Sequence, residues 1–216
     1  MAGDGISFAL LAISSILIII NPLGATLIYV SLTTSMDRSA RNVIARDSCR
    51  FALLILLFVA LLGGWVLQLF GISLEAFRIA GGILLFGIGM EMVYAKMSRT
   101  KLTATEKYES RDMDDIAMMP IAIPMIAGPG AITTTIVLMN EAIPLSLFAV
   151  GIVFLSIIGS IVITYYMMLN SDYIMSKIGQ REYRAINRLM GMLLIAIAVQ
   201  FVLTGIRTAF PLLAGG

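Results

Sequence analysis

The sequence predicts an all-α, polytopic membrane protein. Six transmembrane helices form two inverted repeats of three, and helices one and four are broken in mid-span. Three observations carry this reading. First, 59% of the 216 residues are apolar and 13% are charged, with a mean hydropathy of +0.97. A soluble domain has no way to hide so much apolar surface. Second, thirteen of the fifteen Lys and Arg residues fall in three alternate connectors. Third, two different motifs recur in the second half of the chain at nearly one spacing.

The apolar segments lie at about 6–31, 51–70, 76–94, 116–139, 143–169 and 189–206. Each is long enough for ~30 Å of hydrocarbon at ~1.5 Å per residue, with tilt or local thinning where needed. The first is preceded by Met-Ala-Gly-Asp-Gly, which has no positive flank. It is also longer than a signal-peptide apolar region, so it reads as a retained span. Arg38, Arg41, Arg46 and Arg50 follow it. Lys96, Arg99, Lys101, Lys107 and Arg111 follow segment three, and Lys177, Arg181, Arg184 and Arg188 follow segment five. Only Arg78 and Arg207 fall outside these connectors. By the positive-inside rule the three connectors are cytoplasmic and both termini external.

Residues 1–95 form the first repeat, 96–115 a polar cytoplasmic linker and 116–216 the second repeat. In segment one, Asn21-Pro22-Leu23-Gly24-Ala25-Thr26 interrupts the apolar run. In segment four, Gly128-Pro129-Gly130-Ala131-Ile132-Thr133 does the same, and the two prolines are 107 positions apart. Arg78-Ile79-Ala80-Gly81-Gly82 in segment three matches Arg188-Leu189-Met190-Gly191 in segment six, 110 positions on. Three spans per repeat is an odd number, so the second repeat must sit upside down. Inverted repeats with interrupted helices in matching positions are the sequence pointer to a secondary transporter.

Proline lacks an N–H and clashes with the preceding turn, yet suits the first position of a helix. Segment one is therefore expected to restart with Asn21 as N-cap and Pro22 first, and segment four with Gly128 as N-cap and Pro129 first. Each restart exposes free N–H groups at mid-membrane depth, where lipid cannot satisfy them. Each also carries about half a positive charge from aligned peptide dipoles. Two such ends suit a carboxylate without any basic side chain. Thr26, Thr133 and Thr134 add hydroxyls, and Gly24, Gly128 and Gly130 with Ala131 allow only a small ligand. Single Pro-Gly sites in membrane helices often serve packing alone; the matched pair favours a site. Pro120 and Pro124 read as bends. Gln200 reads either as a helix-to-helix contact or as a ligand contact, and Glu91 as a snorkelling end charge or a proton carrier.

Other classes are poorly supported. The chain has no His and a single cysteine, Cys49, so His-based triads, His-ligated metals and intrachain disulfides are excluded. An enzyme is not expected. A net charge of +2 gives no reason to expect nucleic acid. No cofactor is expected beyond a coupling proton or sodium ion, and the lipid bilayer is the obvious partner. A homo-oligomer is compatible with the sequence.

The motifs at Asn21–Gly24, Arg78–Gly82, Pro124–Thr133, Arg188–Gly191 and Ala198-Val199-Gln200-Phe201 together resemble the MarC/SnatA family over nearly the whole chain. That resemblance implies a six-span membrane protein among neutral amino acid transporters, whose SnatA-type members move glycine, alanine and similar small amino acids. An exporter of other small metabolites and a non-transporting scaffold are the competing readings.

Overall fold

The computed structural model describes residues 2–94 and 117–210. The 96–115 linker therefore lies outside the described residues. Within them every regular element is helical: α1 (Ala2–Ile20), α2 (Pro22–Thr33), α3 (Arg38–Leu69), α4 (Leu74–Val93), a π-helix π1 (Ala117–Ile126), α5 (Pro129–Leu145), α6 (Leu147–Leu169), α7 (Ser171–Lys177) and α8 (Gln180–Ala209).

Local chemistry explains the boundaries. Asp37 caps α3 by accepting from the Ala40 N–H. The Ser39 hydroxyl and that N–H together hold the Asp37 carboxyl below its usual range. At the other end of α3, Gly71 adopts a left-handed φ of 65°. The Gly71 N–H meets the Gln68 carbonyl at 3.0 Å and the Ile72 N–H meets that of Leu67 at 2.9 Å, a Schellman closure. Ser73 and Ser146 cap α4 and α6 in the same way as Asp37 caps α3.

Among the described residues, five stretches are long and apolar enough to cross a membrane: Gly5–Thr33, Arg38–Leu69, Leu74–Val93, Leu147–Leu169 and Arg184–Ala209. The expected fourth span is not among them. Its chain is divided into π1, with 10 residues, and α5, with 17. Around Pro120 and Pro124, where bends are expected, the backbone winds as a π-helix. A proline inside an α-helix removes a donor and crowds the carbonyl four residues back, whereas a π-helix bonds one residue further. The closing bond runs from the Ala127 N–H to the Ala122 carbonyl, five residues back, at 2.9 Å.

The middle of α5, from Gly130 to Met139, is largely buried among α1, α3, α4 and α6. Helix α4 pairs most extensively with α8. A Cβ on Gly82 would meet Ala198, one on Gly89 would meet Gly191, and one on Gly205 would meet Ile79. Rising numbers on one helix match falling numbers on the other, so α4 and α8 run antiparallel. Between apolar helices in lipid, such close backbone packing replaces the hydrophobic drive available in water.

Candidate functional site

Both interruptions are present at the positions that the backbone chemistry dictates. Asn21 is left-handed, with φ 50° and ψ 69°, a conformation that Asn tolerates better than most residues. Its N–H closes α1 on the Leu17 carbonyl at 3.1 Å. Its side-chain oxygen accepts from the Gly24 N–H at 3.1 Å. Pro22 has no N–H to offer the Ile18 carbonyl. At the second break Gly128 is the N-cap, without a side chain to serve as one, and Pro129 is first in α5.

The two restarts differ in what they leave open. Asn21 covers the α2 end itself. At α5 the Ile132 N–H reaches Gly128, while those of Gly130 and Ala131 meet no acceptor among the described residues. Both residues are buried. Thr26 donates to the Pro22 carbonyl at 2.7 Å and Thr133 to the Pro129 carbonyl at 2.9 Å. The same back-bond thus follows each proline by four residues. Thr134 lies four residues beyond Gly130 on the same helix face. It is fully buried, and its hydroxyl, like that of Thr135, has no partner among the described residues.

The breaks are brought together. α1 packs on α5, and α2 packs on π1. A Cβ at Gly130 would lie 3.4 Å from Ile19 Cγ2 and 2.5 Å from Leu85 Cδ2. In this conformation hydrocarbon therefore packs against the side of α5 at Gly130, and Pro129 alone of its first residues is exposed. Two apolar grooves lie elsewhere, between α4 and α8 and between α1 and α6. Gln200 stands apart from the breaks. It is exposed on α8, and its amide donates to Thr204 at 3.2 Å. Glu91 is exposed near the end of α4.

Sequence reasoning missed two ion pairs. Arg78, near the start of α4, is buried and pairs with Glu141 near the end of α5. Arg41 at the start of α3 takes both oxygens of Asp172, at 2.8 and 3.2 Å. It also donates to Ser171 and stacks on Tyr29, 5.7 Å from the ring centre. A cation inside an apolar segment needs a counter-ion, and that was the available signal for Glu141.

Comparison with known proteins agrees with this architecture. The family model for MarC family integral membrane proteins matches residues 6–210. A UPF0056 membrane protein of Methanocaldococcus jannaschii is 42% identical over 94% of this chain and 98% of its own length. The UPF0056 membrane protein YvbG of Bacillus subtilis is 34% identical over 96% and 98%. YhcE of Escherichia coli, another UPF0056 membrane protein, is 34% identical over 89% of each chain. No solved structure matches. With its interrupted apolar helices and these relatives along nearly its full length, the chain belongs to the MarC family of integral membrane proteins.

Proposed function

We propose that this protein is a secondary transporter of small neutral amino acids, of the glycine and alanine class, driven by a proton or sodium gradient across the cell membrane. One observation carries the reading. Two interrupted helices meet inside the bundle, and one presents the free N–H groups of Gly130 and Ala131 with the unpartnered Thr134 hydroxyl one turn away. Unmet buried donors of this kind are costly unless a ligand takes them up. A carboxylate suits them by charge and by hydrogen bonding. The carbonyl ends of α1 and π1, around Ile19, Ile20, Ile126 and Ala127, would receive the ammonium group or the coupling ion.

The helix pairings favour six spans in a 3+3 inverted repeat, with both termini external. Segments one to three are α1 with α2, α3 and α4; segments four to six are π1 with α5, α6 and α8. Exchanging one for four, two for five and three for six makes α1 the counterpart of π1 and α2 that of α5. This turns the α1–α6 pairing into π1–α3, the α2–α6 pairing into α5–α3 and the α1–α5 pairing into π1–α2, and all are present. The α4–α5, α5–α6 and α1–α8 pairings have no counterpart of similar extent among the described residues.

Purified protein in liposomes tests the function. Labelled glycine or alanine should accumulate when a proton or sodium gradient is imposed, and counterflow gives the direction. Absence of uptake under every gradient sinks the transport reading and leaves the scaffold.

A further inference from the structure

The face that α4 turns to α5 is one continuous seam. Arg78 meets Glu141, Gly81 meets Thr133 and Leu85 meets Gly130. Positions 78, 81 and 85 are separated by three and four residues and so share a helix face. Falling numbers on α5 against rising numbers on α4 make the seam antiparallel. It runs from the ion pair at one end to the interrupted helix in the interior. Leu85 is fully buried, and its Cδ2 stands where a substituent on Gly130 would go. The Arg78 side chain is 7% exposed, and its Nε is buried without a partner among the described residues.

We infer that Leu85 is a movable plug over the α5 N-terminus and that the Arg78–Glu141 ion pair is the latch that holds it there. The inference rests on the proposed binding site for its ligand, but the latch and plug stand on the α4–α5 seam alone. The apolar part of the seam favours closure, because opening to water would uncover Leu85. The ion pair adds a charge-assisted hydrogen bond at the end of the seam. It is also incomplete, since the Arg78 Nε stays unmet, and that suits a contact that opens and closes. Opening would swing Leu85 from Gly130 and expose the N–H groups toward the end of the molecule where α4 begins. Because α8 is knitted to α4 through Gly82, Gly89, Gly191 and Gly205, the two helices would move together.

The experiment places a thiol at the plug. Leu85→Cys is made in a Cys49→Ala background, reconstituted in vesicles and labelled with a small membrane-impermeant thiol reagent. Labelling should be slow with the latch intact. Adding Glu141→Gln should speed it about tenfold or more, the equilibrium that one charge-assisted hydrogen bond controls. Glu141→Asp should stay near the parent rate, and the exchange Arg78→Glu with Glu141→Arg should restore slow labelling, which separates a latch from a general loss of fold. An unchanged rate in Glu141→Gln, or fast labelling that the exchange does not reverse, overturns the latch. Glycine is then added to the Glu141→Gln form. Protection of the introduced thiol supports the amino acid site; a fast, latch-dependent rate that glycine leaves untouched removes that site and keeps the latch.

Discussion

Gly81 and Gly87 lie on one helix but face different surroundings. A Cβ at Gly81 would collide with Thr133 Cγ2, whereas one at Gly87 would meet nothing within 4 Å. Gly81→Ala should therefore destabilise the protein by about 1–3 kcal/mol, the usual cost of overpacking, and Gly87→Ala should be near neutral. Chemical unfolding in detergent measures the pair. Asn21→Ala removes the cap on Gly24 while keeping a left-handed φ of 50°, so a loss of about 1–2 kcal/mol is expected. Asn21→Gly should cost less, because glycine accepts that φ freely. The Asn21-Pro22 and Gly128-Pro129 breaks were legible because their causes are local: a missing N–H and a cap. The partner of Arg78 was not, because Glu141 lies 63 residues away and only packing brings the two together.

Hydropathy marks where a chain crosses lipid, not where its helix begins or ends. The apolar run of segment two begins at about residue 51, yet α3 starts at Arg38. That of segment six covers about 189–206, yet α8 spans Gln180–Ala209. In both cases the extra turns are polar and follow a capping or glycine residue, Asp37 or Gly179. The π-winding of π1 was not legible at all, since two prolines also permit a plain kink. Ser146 puts the capping chemistry to a sharper test. It separates α5 from α6, has extended backbone and accepts from the Ala149 N–H at 3.1 Å. Ser146→Ala should lower stability by about 1 kcal/mol, while Ser146→Asp should retain most of it. Thermal unfolding of the purified protein distinguishes the two.

Across the whole molecule, the ends of the helix bundle carry different charge. Arg41 joins α3 to Asp172 of α7 at one end, and Arg78 joins α4 to Glu141 of α5 at the other. Among the described residues, the Lys and Arg residues of the first and third connectors lie toward the first end and Arg78 and Arg207 toward the second, which makes the proposed orientation testable. With Cys49→Ala as background, Ser35→Cys should react only from the cytoplasmic side and Gly71→Cys only from outside. The reverse pattern would turn the molecule over without altering the site. That the chain is helical and crosses a membrane several times was legible because long apolar runs are a global pattern. The covering of Gly130 by Leu85 and Ile19 was not, because it depends on how α4 and α1 pack on α5.

At the centre of the proposed function, backbone N–H groups at Gly130 and Ala131 hold the carboxylate of a small amino acid. The most direct measurement compares glycine with glycinamide, which keeps the amine and loses the carboxylate, by thermal unfolding of the intact protein. At a concentration about a hundredfold above its dissociation constant, a ligand adds about 2.7 kcal/mol of stability. Glycine should raise the unfolding temperature, and glycinamide and leucine should leave it in place. Equal stabilisation by glycinamide, or none by glycine at any concentration, would contradict carboxylate binding at the α5 N-terminus.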